Sequence, residues 1–301
     1  METTTTAAAM KAWSRAARSA GRRIGLVPTM GALHDGHLSL VSRTRAECDA
    51  AVLSIYVNPL QFGPREDFGA YPRDAARDRN LARSFGASLL FAPLEGEIHV
   101  AGHLTWVEVE GMQESLCGRS RPGHFRGVTT VVAKLLQIVD PDTAYFGEKD
   151  AQQLRIIRRM ARDLHLDCAI IGCPTVREPD GLAMSSRNAY LTVEERRAAP
   201  VLHRALEAGA ALARSGGTDP ARVVARVREI LDAEPLARAD YVEAVDDETL
   251  RPVEGFEGRM LLAAAAWFGR ARLIDNVLVE RPGASDQAAA SGRSRPEIGT
   301  G

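Results

Sequence analysis

Through the first two thirds of the chain, short apolar runs alternate with longer segments in which apolar residues recur every three or four positions. The short runs are typical of buried strands, and the longer segments of amphipathic helices. Strands that alternate with helices predict the α/β class with a parallel sheet. The predicted strands are 24–28, 51–57, 88–92, 143–146 and 167–172, and the predicted helices follow His37 and occupy about 73–85, 128–138 and 152–164.

The pattern changes after Arg187, where segments rich in Ala, Arg and Glu are followed by further apolar runs. This order predicts a smaller α+β domain. Its expected elements are helices at about 193–215 and 219–231, then strands near 239–245, 259–267 and 272–279. The expected divisions of the chain are a first domain at 11–183, a lid domain at 184–282, and a disordered tail at 283–301 that is rich in Ala, Ser, Gly and Arg.

The composition of the chain narrows the kinds of molecule that we expect it to bind. The chain has 38 basic and 39 acidic side chains, a net charge of −1, so no overall field attracts nucleic acid or an anionic membrane. The longest apolar runs, such as 260–268, are far shorter than the roughly 20 residues that cross a bilayer, and the start resembles no signal peptide. The four cysteines form no CxxC pair, which favours reduced thiols. We therefore expect a cytoplasmic protein that acts on small molecules.

The segment His34-Asp35-Gly36-His37 follows the first predicted strand closely. Residues three apart share one face of a helix, so both imidazoles face one target if a helix opens here. A helix N-terminus favours phosphate, because unpaired N–H groups and the positive end of the helix dipole lie there. Two surface histidines in a polar turn are the alternative interpretation. A zinc helix of the HExxH type is disfavoured, since no glutamate stands between the histidines.

Two further segments carry donors suited to phosphate. Gly147-Glu148-Lys149-Asp150 lies between a predicted strand and a predicted helix, and Met184-Ser185-Ser186-Arg187 follows a loop rich in turn residues. Taken alone, each is equally an ordinary solvated turn. Ligands of parallel sheets bind at the carboxyl ends of strands, where His34, the stretch from Asn58 to Gln61 and the first of these segments all fall. The chain contains neither GxxxxGK[ST] nor GxGxxG, so neither a P-loop nor a dinucleotide fingerprint explains them.

Five motifs follow one another along the chain: Val27 to His37, Val57 to Phe62, Arg121 to Val128, Phe146 to Asp150, and Gly181 to Asn188. Together they resemble those of the pantoate–β-alanine ligase family within the HIGH-motif nucleotidylyltransferase superfamily. The resemblance covers about 21–280. It implies a Rossmann-like parallel-sheet nucleotidylyltransferase domain that binds ATP and pantoate, with a smaller C-terminal α+β domain that closes over the ATP site.

The resemblance also implies a reaction. In it, ATP drives the condensation of (R)-pantoate with β-alanine to pantothenate, AMP and diphosphate through a pantoyl adenylate. The resemblance further implies that Mg²⁺ accompanies ATP and that the assembly is a homodimer. From the balanced charge we expect neither nucleic acid nor a membrane as a partner. Adenylyl transfer onto a phosphate ester and nucleotide binding without catalysis are the alternatives. Amine-dependent release of AMP separates the reaction from the first alternative, and turnover of bound ATP separates it from the second.

Residue by residue, the resemblance assigns several sets of side chains. The catalytic set is His34, His37, Lys149, Ser185, Ser186 and Arg187. The ATP-binding set is Met30, Gly31, Ala32, Leu33, His34, Asp35, Gly36, His37, Gly147, Glu148, Lys149, Asp150, Val176, Met184, Ser185, Ser186 and Arg187. Gln61 is expected to contact pantoate and β-alanine, and Gln153 to contact pantoate. No metal ligand is assigned, since Asp74 and Asp78 fit helix-start or surface positions equally well.

Two departures from the family pattern concern local structure. Ala151 stands where the family usually carries an aromatic residue, so we expect looser packing at that helix start. The stretch 95–103 replaces a pattern close to Met-Tyr-Pro, and we expect a solvated loop there rather than a metal site built on His99 and His103.

A basic patch is interpreted as a loop over the active site or a subunit contact; its members are Arg121, His124 and Arg126.

Overall fold

A parallel sheet organises the N-terminal part of the molecule. The computed structural model describes residues 1–64, 66–216, 219–255 and 258–281. Within these ranges six strands form the sheet: β1 (Glu2–Thr4), β2 (Ile24–Thr29), β3 (Ala50–Ile55), β4 (Leu89–Phe91), β5 (Thr143–Gly147) and β6 (Ala169–Cys173). Their spatial order is β1-β4-β3-β2-β5-β6, and all neighbours run parallel. The predicted α/β class and parallel sheet are confirmed.

Helices connect these strands and cover the sheet, as crossover connections between parallel strands require. Buried Met10, Phe91 and Leu154 belong to the core that the helices and strands share. The helices are α1 (Ala7–Ser19), α2 (Asp35–Glu47), α3 (Ala75–Ser84), α4 (Glu95–Ile98), α5 (Leu116–Ser120), α6 (His124–Val139) and α7 (Ala151–Asp163). Short 3₁₀ turns occupy Pro59–Gln61, Glu148–Asp150 and Ser186–Tyr190.

The C-terminal part is an α+β unit. Its helices are α8 (Val193–Ala198), α9 (Val201–Arg214) and α10 (Pro220–Asp232), and its strands are β7 (Ala237–Asp246), β8 (Gly258–Phe268) and β9 (Ala271–Arg281). In the described residues these strands form an antiparallel sheet in the order β7-β8-β9. The prediction of one helix over 193–215 is wrong. Pro200 precedes α9 and has no N–H to continue the helix, so the segment divides in two.

Two elements near the start of the chain, the strand β1 and the helix α1, were not predicted. β1 pairs with β4 at the sheet edge, and Thr6 caps α1 by accepting a hydrogen bond from the Ala9 N–H. Met10 on α1 is fully buried. A three-residue edge strand made of Glu and Thr has no alternation of apolar and polar positions, so the pattern could not indicate it. The division at 183/184 stays a prediction, and the predicted tail at 283–301 lies outside the described residues.

The two parts share a core and are joined by ion pairs. Val245 and Leu261 pack in the same cluster of buried residues as Leu154. Arg155 on α7 donates from Nε to a carboxylate oxygen of Asp247 over 2.8 Å. This continuity fixes the C-terminal sheet against the end of the parallel sheet at which the predicted site lies. No described helix has the length and apolar character needed to span a membrane, and all four cysteines, which lie in the described part, are free thiols.

Candidate active site

The two histidines lie together at the start of α2. His34 is the N-cap residue, and its Nδ1 accepts a hydrogen bond from the Gly36 N–H over 3.2 Å. The ring centroids of His34 and His37 are 4.1 Å apart. A Cβ on Gly36 would lie 2.9 Å from the His34 ring, so only glycine allows this approach. Because Nδ1 of His34 is an acceptor, the neutral ring carries its proton on Nε2 and can donate it to a ligand.

Both rings are neutral near pH 7 in the free protein. Burial, followed by the charge of Lys149, lowers the pKa of His34 to about 4. Burial, followed by His34 and Lys149, lowers the pKa of His37 to about 3. A neutral imidazole still offers one N–H donor. The Nδ1 atom of His37 is buried and has no partner among the described residues, so this ring has unused hydrogen-bonding capacity.

Asp78 holds the turn that leads into these histidines. Its carboxylate accepts from the Ala32 N–H over 2.8 Å and from the Leu33 N–H over 2.9 Å. Gly31 precedes them with a φ of +84°, a conformation that glycine adopts without strain. Asp78 is 2% exposed, so the surface position considered for it is wrong. Asp74, in contrast, caps α3 by accepting from the Arg77 N–H over 2.9 Å.

The turn after β5 carries Lys149 and Asp150. Lys149 Nζ lies 3.7 Å from a carboxylate oxygen of Asp150. Asn276 on β9 donates from Nδ2 to the backbone oxygens of Glu148 over 2.9 Å and of Lys149 over 3.0 Å. The sequence contained no signal for Asn276, because it lies 127 residues away from Lys149. The C-terminal sheet therefore positions the lysine that the resemblance places in the catalytic set.

The segment 184–187 crosses from the C-terminal part onto the turn before α2. Ser186 Oγ donates to the Ala32 backbone oxygen over 3.2 Å. Met184 N–H donates to the Val176 oxygen over 3.0 Å. Arg187 makes a two-point contact with Asp67 over 3.2 and 3.0 Å. Expected as a phosphate ligand, Arg187 is thus paired with a carboxylate in the free protein.

An ion pair fixes the loop that precedes this segment. Arg177 donates to Asp275 on β9 over 2.6 and 2.9 Å, and also to the Gly181 backbone oxygen over 3.0 Å. Asp275 is 3% exposed. Burial raises the pKa of its carboxyl, but His203, whose Nδ1 lies 3.5 Å away, and the hydrogen bonds from Arg177 outweigh burial and hold that pKa below the usual range. The loop is therefore attached to the C-terminal sheet by a charge that stays ionised at neutral pH.

A cavity of about 1120 Å³ opens between the parallel sheet and the C-terminal sheet. It brings together six of the predicted site residues: Gln61, Lys149, Asp150, Gln153, Ser185 and Arg187. Ala151 also lines it and is buried. The remaining predicted residues are not in its lining, but two contacts join their segment to it. Gln61 Nε2 lies 3.1 Å from Met30 Sδ, and Ser186 contacts Ala32 as described.

Gln61 is held from several sides. Asn58 Nδ2 donates to Gln61 Oε1 over 3.1 Å. The Gln61 backbone oxygen accepts from Arg121 over 3.2 Å and contacts His124 Nδ1 at 2.8 Å. Glu66 pairs with Arg121, whose Nε lies 2.7 Å from the carboxylate. Arg121 and His124 therefore belong to the wall of the cavity, as the loop interpretation of the basic patch predicted.

The role of Asn58 and the packing behind it were not predicted from the sequence. Asn58 is 1% exposed. A Cβ on Gly127 would lie 2.3 Å from the Leu60 backbone oxygen, so glycine at this position lets α6 approach the turn that carries Gln61. Both residues lie within motifs quoted for the resemblance. The signals for Asn58 were its position just after a predicted strand and its neighbour Pro59, which marks a turn.

The residues present fit a Mg²⁺ ion that arrives with ATP. No group of three or more His, Cys, Asp or Glu side chains in the described part of the chain is arranged to hold a metal. Mg²⁺ is commonly bound through substrate phosphates and one or two carboxylates rather than by a protein cage. Asp150, beside Lys149 in the cavity wall, is a carboxylate in a suitable place.

Comparisons with known proteins identify the family to which the chain is similar. The family model described as Pantoate-beta-alanine ligase matches residues 2–278. The pantothenate synthetase of Heliobacterium modesticaldum is 56% identical over 271 residues, covering 90% of this chain and 96% of the relative. That of Moorella thermoacetica is 55% identical over 280 residues, covering 93% and 99%.

Solved structures give the same result. The crystal structure of pantothenate synthetase from Thermus thermophilus superposes with a TM-score of 0.87 at 48% identity, covering 92% of this chain and 99% of that one. The pantoate-beta-alanine ligase of Francisella tularensis, complexed with beta-gamma ATP and beta-alanine, has a TM-score of 0.76 at 33% identity and covers 92% and 97%. The likeness therefore extends over both parts of the fold.

Proposed function

The chain belongs to the pantoate–β-alanine ligase family, and we propose that the cavity between its two sheets is where ATP, pantoate and β-alanine meet. It is a ligase that forms the amide bond of pantothenate. The observation that carries the location is the convergence of Gln61, Lys149 and Gln153 on one cavity at the carboxyl ends of β-strands. The Francisella tularensis relative, crystallised with an ATP compound and β-alanine, supports the choice of ligands.

In the first step, a carboxylate oxygen of pantoate attacks the α-phosphorus of ATP, and diphosphate leaves. The Nε2–H of His34, a ring N–H of His37 and the ammonium of Lys149 donate to the phosphates. The N–H groups at the start of α2 add to them. Donors fixed in place before the reaction stabilise the charge that moves onto the leaving diphosphate. Ser185, Ser186 and Arg187 complete this set when Arg187 exchanges Asp67 for phosphate.

In the second step, the amine of β-alanine attacks the acyl carbon of the pantoyl adenylate. The C–N bond forms, the bond from the acyl carbon to the phosphate oxygen breaks, AMP leaves, and the amine loses a proton. Gln61 and Gln153 hold pantoate by hydrogen bonds to its hydroxyl and carboxyl oxygens, since an amide both donates and accepts. The protein provides no covalent intermediate, so positioning and charge stabilisation are its contributions.

We also propose a metal ligand, a cellular location and an oligomeric state for the protein. Mg²⁺ neutralises phosphate charge when it is bound with ATP, and Asp150 is the carboxylate we assign to it. The protein functions in the cytoplasm, where free thiols such as its four cysteines persist. The assembly is a homodimer. Support for the dimer is the segment 103–109, which has no regular secondary structure, pairs with no strand in the described residues and exposes Leu104.

Release of AMP tests the proposed function. The protein is incubated with ATP, Mg²⁺ and (R)-pantoate, with β-alanine present or omitted. We expect sustained AMP release only when β-alanine is present, because the adenylate stays bound until the amine arrives. AMP release that ignores β-alanine would indicate hydrolysis, and its absence under both conditions would contradict the assignment. Sedimentation at two protein concentrations tests the dimer separately.

A further inference from the structure

His99 connects the loop 95–103 to the cavity wall. The ring is half-buried behind α4, between Asn58 and α6. Its Nε2 lies 2.9 Å from Asn58 Oδ1, and its Nδ1 lies 3.2 Å from Lys134 Nζ. Lys134 also donates to the Ile98 backbone oxygen over 2.9 Å. The prediction of a solvated loop is therefore wrong at His99, because this ring joins two elements of the fold.

The backbone determines which way each hydrogen bond runs. Asn58 Nδ2 donates to the Gly127 backbone oxygen over 3.1 Å, and Asn58 Oδ1 accepts from the Leu60 N–H over 3.3 Å. The Asn58 oxygen therefore faces His99, and His99 Nε2 must be the donor. An ammonium has donors only, so His99 Nδ1 must accept from Lys134. These partners fix His99 as a neutral ring that is protonated on Nε2.

The directions of these hydrogen bonds also determine which end of the Gln61 amide faces the cavity. Asn58 Nδ2 also donates to Gln61 Oε1 over 3.1 Å, which leaves Gln61 Nε2 directed to Met30 Sδ at 3.1 Å and to the cavity. We propose that Lys134 and His99 are positioning residues, which act through Asn58 to keep the NH₂ group of Gln61 facing pantoate. This inference rests on the proposed contact between Gln61 and pantoate. A reversed Gln61 amide would present oxygen, not N–H, to the substrate's carboxyl group.

Two aromatic rings border His99. The ring centroids of His103 and Tyr56 lie 5.3 and 5.8 Å from that of His99. Burial, then the charge of Lys134 and then His103, lower the pKa of His99 to about 4. The ring therefore stays neutral throughout the pH range of an ordinary assay. His103 provides a matched control: it lies in the same segment, and its buried Nε2 has no partner among the described residues.

Four single variants test the proposal by the KM for pantoate, the KM for ATP, kcat and Tm. His99→Phe removes the donor, His99→Gln keeps one, His103→Phe is the control, and Gln61→Ala is the reference. We expect His99→Phe to raise the KM for pantoate about tenfold, the scale of one lost hydrogen bond, with the KM for ATP unchanged. His99→Gln should recover most of the loss, and His103→Phe should show none.

The double variant of His99→Phe with Gln61→Ala separates positioning from loop stability. We expect it to match Gln61→Ala alone, because His99 acts through Gln61. Additive losses, or an equal loss in His103→Phe, would overturn the proposal. Normal kinetics in His99→Phe beside a defective Gln61→Ala would overturn only this inference, whereas a normal pantoate KM in Gln61→Ala would overturn the role of Gln61 itself. If His99→Phe does not fold, Lys134→Met should raise the pantoate KM in the same direction, and no rise would be contradictory.

Discussion

The two sides of the cavity are held in different ways. On the side proposed to bind phosphate, called the phosphate side, Lys149 and Arg187 are cations whose partners, Asp150 and Asp67, are partly exposed carboxylates that a phosphate can replace. On the side proposed to bind pantoate, called the pantoate side, Gln61 is fixed by hydrogen bonds from separate segments of the chain. A phosphate is recognised by charge, which tolerates several directions of approach. A hydroxy acid is recognised by the direction of donors and acceptors, so its amides need a rigid frame.

Removal of a phosphate-side donor should have the largest effect. We expect Lys149→Ala and His37→Ala each to lower kcat by at least ~10², the scale of one preorganised donor. Both donors face charge that grows during the reaction, so KM for pantoate should change little. Lys11→Ala, an exposed lysine on α1, serves as the control. Near-normal turnover in both active-site variants would refute their roles.

The frame of the phosphate side can be broken without touching a ligand-binding side chain. Asp78→Ala leaves the buried N–H groups of Ala32 and Leu33 without their acceptor. We expect a loss of about 2 kcal/mol in the free energy of unfolding and a raised KM for ATP. Asp74→Ala, which removes only a helix cap, should cost about 1 kcal/mol and leave that KM unchanged. Urea unfolding with steady-state kinetics checks both; equal ATP effects would contradict the assignment.

Acid should weaken the buried frame on both sides. His34 and His99 have pKa values of about 4, and His37 and His124 of about 3, all lowered chiefly by burial. Unfolded histidine titrates near ~6.5. Below that pH the unfolded chain binds more protons than the folded one, so stability falls as the pH drops from about 6.5 toward 4. Urea midpoints from about pH 7.5 to 5 should show this fall, and His124→Gln should make it shallower. A midpoint that rises on acidification would contradict neutral buried rings.

We expect the smallest effect from replacing Asp67, the carboxylate that pairs with Arg187 in the free protein. Asp67→Asn removes the charge that competes with phosphate for this guanidinium. We expect the KM for ATP to fall about two- to threefold, since a partly exposed pair contributes well under 1 kcal/mol. Kinetics at low and high salt measure it, and salt should reduce the difference. An increased KM for ATP would mean that Asp67 positions Arg187 rather than competes for it.

Elements with a clear apolar pattern were predicted closely. The strand predicted at 24–28 is Ile24–Thr29, and the helix predicted at 152–164 is Ala151–Asp163. The helix predicted at 128–138 begins earlier, at His124, because Gly123 with a φ of +82° turns the chain into it. Buried Phe125 continues the apolar repeat into that first turn, but Gly127, a poor helix former, interrupts the pattern there.

The residues of the site also differ in whether the sequence predicted them. Lys149 and Gln61 were predictable because they lie in motifs, next to turns that the sequence marks. Asp78 and Asn276 were not, because each acts on backbone that is 46 or 127 residues away. His99 was misjudged for the same reason, since its partners Asn58 and Lys134 come from other elements. The local sequence pattern indicates which side chains are available for the site. Only the fold shows which distant residues position them.

The central claim is that one side of the cavity drives adenylation and the other binds pantoate. The most direct measurement is the burst of diphosphate on mixing enzyme with ATP, Mg²⁺ and varied (R)-pantoate, without β-alanine. In Lys149→Ala we expect a slower burst at saturating pantoate with the same half-saturating concentration. In Gln61→Ala we expect a higher half-saturating concentration with a burst rate near that of the unaltered protein. If both variants changed the same parameter, the division between the two sides would be contradicted.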